Sequence, residues 1–247
     1  MQRTAIVTGA AGSIGLGAVR KLLEHGRRVV MVDRDEAALA QARASLPGDR
    51  VMAVAADLAD PAAPAHIHEQ ARPWGPVAVL VNNAAISPKH DGLAADLLSM
   101  ADDEWEQVFR VNITAGMRLA RQFVPDMLQQ RWGRIVNVSS RAGRSHANAA
   151  SVAYMSSKAA VLGMTRSFAS EFSARGITAN AVAPGLVESA LTARVSPELL
   201  QRIRDKTPVG RAGTPDEIGA AIAFLASEDA GFITGACLDI NGGALMC

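Results

Sequence analysis

Short runs rich in β-branched and apolar residues alternate along this chain with longer stretches of helical periodicity. The runs fall at Thr4–Thr8, Arg28–Val32, Val51–Ala55, Val77–Val81, Arg134–Val138, Thr178–Val182 and Cys237–Ile240. Several, VAVLV and RIVNV among them, read as near-continuous apolar segments, the pattern of strands covered on both faces. Between them, Ile14–His25 and Asp35–Ser45 carry helical periodicity. Alternation of this kind predicts crossover connections and a mostly parallel sheet. No internal repeat, low-complexity tract or long linker interrupts the pattern. The expectation is a single doubly wound α/β domain of Rossmann type over residues 1–247, with about seven strands and helices on both faces.

Ligands of such a sheet bind beyond the carboxyl ends of its strands. Those ends carry TGAAGSIG after the first run, Asp33-Arg34 after the second and Asp57-Leu58 after the third. They continue with Asn82-Asn83-Ala84-Ala85, Ser139-Ser140 and Pro184-Gly185. Small or polar residues at six successive strand ends describe one rim.

Composition narrows the partners. The net charge is +1 and aromatic residues make up 4% of the chain, which argues against nucleic acid and an acidic membrane as main partners. No run approaches the roughly 18 apolar residues of a membrane helix, and the first apolar run belongs to the glycine loop rather than to a targeting segment. Two cysteines, Cys237 and Cys247, have no metal or disulfide spacing; both are expected as thiols in a cytoplasmic protein.

Gly9, Gly12 and Gly15 follow a strand and open a helix. That arrangement offers backbone N–H groups and a helix dipole to a diphosphate, although a tight ligand-free turn has the same look. Asp33, 18 residues past Gly15, is placed to accept both ribose hydroxyls of an adenosine, or else to start a turn or cap the next helix. Its charge opposes a 2′-phosphate, so NAD is expected over NADP. Arg34 blunts that preference, since an arginine there can lie over the adenine or pair with a phosphate.

Tyr154 and Lys158 lie four residues apart and share a helix face. A free tyrosine titrates near ~10; an adjacent ammonium and a cationic nicotinamide both favour its phenolate. Tyr154, the only tyrosine in the chain, is therefore a candidate to exchange a hydroxyl proton during hydride transfer.

The ordered set TGAAGSIG, Asp33, Asp57-Leu58, NNAA, Asn112, Ser140, Tyr154-x-x-x-Lys158 and Pro184-Gly185 resembles the short-chain dehydrogenase/reductase family, in its single-domain branch. The resemblance runs from Thr4 to Gly243. It implies Tyr154 as catalytic acid/base, and Lys158 as the residue that binds the nicotinamide ribose and lowers the tyrosine's pKa. Ser140, followed two residues on by Gly143, is implied to hold the substrate oxygen, with Ser139 the less favoured candidate. Asn112 is implied to support a water that relays protons to Lys158. Gly9, Gly12, Ser13, Ile14 and Gly15 would hold the diphosphate, Asp57 and Leu58 the adenine, and Asn83 and Ala84 the adenosine ribose. Pro184, Gly185, Val187 and Ser189 would run along the nicotinamide.

The sequence departs from the family pattern in places. TGxxGxxG replaces the branch's TGxxxGxG and puts Ser13 where a glycine is usual; the variant spacing belongs more often to the extended, sugar-nucleotide branch. NNAA replaces NNAG, the Ser140-to-Tyr154 spacing is one residue longer than the commonest form, and Ser189 stands where threonine is common. Substrate choice is assigned to Ile86–Asp103, Arg141–Val152 and Glu188–Arg204, the last as a lid. Arg141, Arg144 and His146 suggest a polar or anionic small molecule, unless they face solvent or a neighbouring subunit.

The leading expectation is an NAD-dependent oxidoreductase interconverting a secondary alcohol and a ketone. A 3-oxoacyl-thioester reductase and a non-enzymatic dinucleotide sensor are the alternatives. Resemblance alone adds a homotetramer, through Thr214–Ile240 and the helix after Tyr154.

Overall fold

The computed structural model describes residues 2–145, 150–188, 201 and 204–246. Its seven strands are β1 (Thr4–Thr8), β2 (Arg28–Asp33), β3 (Val51–Ala55), β4 (Val77–Asn82), β5 (Gly133–Val138), β6 (Ile177–Pro184) and β7 (Cys237–Ile240). Every pairing is parallel, in the order β3-β2-β1-β4-β5-β6-β7. The described helices are α1 (Ser13–Glu24), α2 (Glu36–Ala44), α3 (Ala63–Ala71), α4 (Asp102–Phe109), α5 (Ala115–Gln130), α6 (Val152–Phe172) and α7 (Pro215–Leu225).

Strand alternation divides the core into two layers. Ala5, Val7, Val29 and Met31 pack with Leu22 of α1, Leu39 of α2 and Ile222 of α7. Ile6, Val30 and Val32 pack on the other face with Ile67 of α3 and Phe123 of α5. Each large side chain fully buried in these layers contributes about 1.5–3 kcal/mol, which is why strands hydrophobic on both faces form the centre of the molecule.

Chain order reverses at β1, whose neighbours β2 and β4 lie on opposite sides. Crossovers leave in opposite directions there and open a crevice. α1, which starts at that crevice, is held from behind by α7. A Cβ on Gly17 would lie 2.3 Å from the Pro215 carbonyl oxygen, and one on Gly219 2.4 Å from that of Gly17, so the two helix backbones touch. Arg20 donates to Asp216 Oδ1 across the same contact, and Thr214 and Glu217 form a reciprocal cap at the start of α7.

All seven expected strands are present. β2, β4 and β6 extend past the apolar runs, because Asp33, Asn82 and Pro184 still pair with Ala55, Asn137 and Ile240. α1 begins at Ser13, and α2 begins at Glu36 with Asp35 as its N-cap. Between α4 and α5 the helix widens into one π-helical turn, Arg110–Thr114, which carries Asn112. Among the described residues no helix is long and apolar enough to cross a membrane.

Candidate active site

A cleft of about 760 Å³ lies along the carboxyl ends of the strands, within the usual range of small-molecule sites. Gly9, Gly12, Ser13, Ile14, Gly15, Asp33, Arg34, Asp57, Leu58, Asn83 and Ala84 line it on one side. Ser140, Tyr154, Lys158, Pro184, Gly185 and Val187 complete the wall. Ser189 and His146 lie outside the described residues, as does most of Glu188–Arg204.

The glycine loop separates required from optional glycines. Gly9 has φ +62°, and a Cβ there would meet Ala84 Cα at 2.9 Å; a Cβ on Gly15 would lie 2.1 Å from the Gly9 carbonyl oxygen. Both positions need glycine. Gly12 is extended backbone, φ −75° and ψ 161°, and caps α1. Ser13 is the first helical residue, where a side chain meets no backbone restriction. The unusual spacing is therefore compatible with an ordinary strand–turn–helix. No side chain caps α1 and no acidic residue occupies its first turn, so its N–H groups and dipole remain available to an anion. A diphosphate fits this cradle.

Asp33 Oδ2 accepts the Ala11 N–H at 3.1 Å and Oδ1 accepts that of Asp35 at 3.2 Å. The capping role falls to Asp35, whose Oδ1 accepts from Ala38 N, and Asp33 stays half-buried in the cleft wall. Arg34 is exposed beside it. Asn83 does more than line a ribose site. Its amide donates to the carbonyls of Thr8 (2.8 Å) and Gly9 (3.1 Å), while Thr8 Oγ1 accepts from Asn83 N and Ala84 N. This clamp on the glycine loop was not read from the sequence, although the doubled asparagine after an apolar strand marks the place.

At the other end, Ser139 and Ser140 follow β5 and both line the cleft. Ser139 Oγ turns inward and donates to the Lys158 carbonyl at 2.7 Å. Ser140 faces the cleft, accepts from Ala142 N at 3.1 Å, and shares a hydrogen bond with the Tyr154 phenol. Of the two serines, Ser140 is the one beside the tyrosine. α6 is capped by Ser151, whose hydroxyl accepts from Tyr154 N; Tyr154 and Lys158 thus project from the first two turns.

Lys158 is 3% exposed, and its Nζ donates to the Val138 carbonyl at 2.8 Å. Burial pulls its ammonium down to about 8. Burial pushes Tyr154 up from its ordinary value, opposed by the Ser140 hydrogen bond. Lys158 Nζ lies 5.7 Å from the Tyr154 ring centroid and is directed at the Val138 carbonyl.

Asn112 sits behind the cleft wall, 6% exposed. Its Oδ1 accepts from Ile86 N at 2.8 Å, and its amide donates to the Ile86 carbonyl and Ser157 Oγ. Both amide hydrogens are engaged; the side chain braces the loop after β4, and with Lys158 it lines a small cavity of about 10 Å³. Arg144 departs from expectation. It does not stand open to an anionic substrate but pairs with Asp239 of β7 at 2.6 Å. Ile86 and Ser87, the first residues of the Ile86–Asp103 segment assigned to substrate choice, also line the cleft.

Comparison with known proteins agrees with this architecture. A family model described as enoyl-(acyl carrier protein) reductase matches residues 9–244. A galactitol 2-dehydrogenase (L-tagatose-forming) of Cereibacter sphaeroides is 40% identical over 243 residues, spanning 97% of this chain and 93% of that protein. A 3-oxoacyl-[acyl-carrier protein] reductase from Brucella melitensis superposes with a TM-score of 0.94 at 34% identity, over 99% of this chain and 92% of that one. Another from Brucella melitensis, with bound NAD, gives 0.92 at 33%, with the same coverage. The chain belongs to the short-chain dehydrogenase/reductase family, oxidoreductases that use a nicotinamide dinucleotide to interconvert CH–OH and keto groups.

Proposed function

We propose that the whole chain acts as one catalytic domain, an NAD-dependent dehydrogenase of a small secondary alcohol. One observation carries this reading: Ser140, Tyr154 and Lys158 converge in a cleft that also contains Asp33 and an uncapped helix N-terminus. Gly9, Gly15 and the start of α1 hold the diphosphate, and Asp33 takes the adenosine ribose. Pro184, Gly185 and Val187 line the nicotinamide, which supplies the hydride acceptor or donor when bound. Ser140 fixes the substrate oxygen through its hydroxyl, and Tyr154 takes or gives the hydroxyl proton. Lys158 holds the nicotinamide ribose and, once its ammonium turns from Val138 toward that ribose, favours the phenolate. Asn112 keeps the π-helical turn and the loop after β4 in register behind Lys158.

Tyr154→Phe tests the mechanism. NAD binding should persist while turnover falls by roughly 10²–10⁴-fold, the usual contribution of a general acid/base; unchanged turnover would remove the assigned role. The second reading, a 3-oxoacyl-thioester reductase, is favoured by the two Brucella relatives. A panel of secondary alcohols, sugar acids and hydroxyacyl thioesters, followed by cofactor absorbance, separates the two.

A cytoplasmic homotetramer is part of the proposal. Exposed apolar side chains occur on α4 and α5 (Trp105, Met117) and again on α7 and β7 (Phe224, Leu238), two faces suited to two interfaces. A scattering mass near that of one chain, 25.8 kDa, would refute the tetramer.

A further inference from the structure

The turn that presents Ser140 is pinned on one side by α6. Gly143 lies so close that a Cβ there would stand 2.5 Å from the Lys158 carbonyl carbon, and Ser139 Oγ donates to the same Lys158 carbonyl. Within the turn, Gly143 N and Arg144 N donate to the carbonyls of Ser140 and Arg141. These bonds fix its internal shape.

A second anchor reaches it from the opposite direction. Arg144 Nη1 donates to Asp239 Oδ2 at 2.6 Å, and both side chains are about three-quarters buried (24% and 23% exposed). The two residues are separated by 95 positions in sequence. Asp239 pairs in register with Ala183 of β6, and β6 in turn pairs with β5. The ion pair therefore spans β6, a distance of two strand spacings or roughly 10 Å between β5 and β7. A charge-assisted bond of this kind is short and directional.

We propose that Arg144 and Asp239 are positioning residues. Their ion pair straps the catalytic-serine turn to β7 and holds the Ser140 hydroxyl against Tyr154. The inference rests on the reading of Ser140 as the serine that serves Tyr154. It also accounts for Arg144 as part of the scaffold rather than as a substrate receptor.

Because Tyr154 is the only tyrosine, tyrosine labelled with ¹³C at Cζ gives one resonance whose shift reports its ionisation. The NAD⁺-bound enzyme is titrated in the parent chain and in Ser140→Ala, Arg144→Met, Asp239→Asn and the exchanged pair R144D/D239R. Loss of one hydrogen bond to the phenolate in Ser140→Ala should raise the midpoint by about one pH unit. Arg144→Met and Asp239→Asn should raise it by about half of that or more, with NAD⁺ affinity changed less than about twofold, and the exchanged pair should return it toward the parent value. The proposal is overturned if Ser140→Ala moves the midpoint while both single variants leave it unchanged. If Ser140→Ala itself has no effect, the assignment of Ser140 fails, and the strap has nothing to position. Should Arg144→Met not fold, the near-isosteric Asp239→Asn decides alone.

Discussion

Replacement of Asp33 by asparagine isolates the charge that sets cofactor preference. The substitution preserves shape and keeps an oxygen acceptor at the end of β2. Two unit charges 4–6 Å apart interact by about 3–4 kcal/mol at an effective dielectric of 20. Asp33 is half-buried beside solvent, and salt screens such a contact, so about 1–3 kcal/mol of repulsion toward a 2′-phosphate is reasonable. At about 1.4 kcal/mol per tenfold, NADP⁺ binding should improve by roughly 5- to 140-fold. NAD⁺ should weaken by about fivefold, the difference between charged and neutral acceptors for the ribose hydroxyls. Asparagine also gives up one of the two bonds Asp33 makes to Ala11 N and Asp35 N. That loosens the glycine loop for both cofactors alike and cancels in their ratio. Calorimetric titrations with NAD⁺ and NADP⁺ at one ionic strength measure the ratio directly. A ratio within twofold of the parent enzyme's, or a parent enzyme that prefers NADP⁺, would refute the reasoning.

Lys158 gives a pH signature. Its folded value of about 8 lies below the unfolded 10.5, so between these values the unfolded chain binds more protons and stability rises with pH, by up to about 3 kcal/mol. Lys158→Met should be the more stable protein at pH 7 and lose more than half of that advantage by pH 9.5, as read from urea midpoints; a pH-independent difference would contradict the buried, depressed ammonium. In the glycine loop, Gly15→Ala should cost about 1–3 kcal/mol through its clash with the Gly9 carbonyl, while Gly12→Ala should cost under about 1 kcal/mol. Equal losses in thermal melts would show that the loop is not built this way. Gly219→Ala, whose Cβ would meet the Gly17 carbonyl, should push α7 from α1 and weaken NAD⁺ binding at a distance; unaltered binding and stability would sink that coupling.

The fold was legible because buried parallel strands leave a strong mark: seven apolar runs became seven strands, each bounded by residues that still pair. The strand ends were legible for the same reason, since residues at successive carboxyl ends must share a rim whatever their helices do. What local pattern does not record is which side chains meet across the rim. Ser139 and Ser140 are identical in type and adjacent; only the folded strand end, where Ser139 N bonds to Val182 of β6, sends one to the α6 backbone at Lys158 and the other to the Tyr154 phenol. Arg144 and Asp239 each look like surface charge when read alone, because their contact depends on β5, β6 and β7 lying side by side.

The glycine loop shows where pattern reading goes astray and why. A motif written as residue letters treats its three glycines as equivalent, yet the backbone distinguishes them. Gly9 is required by a positive φ and by its approach to Ala84, and Gly15 by contact with the Gly9 carbonyl. Gly12 is less constrained, for it is extended backbone at the helix cap and a Cβ there would stand 3.3 Å from the Gly9 carbonyl oxygen. Ser13, one position on, is already helical and carries a side chain without penalty. The spacing that suggested a different enzyme branch is therefore a change at two permissive positions. The constraint on the cofactor loop lies in Gly9, Gly15 and the Thr8–Asn83 clamp behind them.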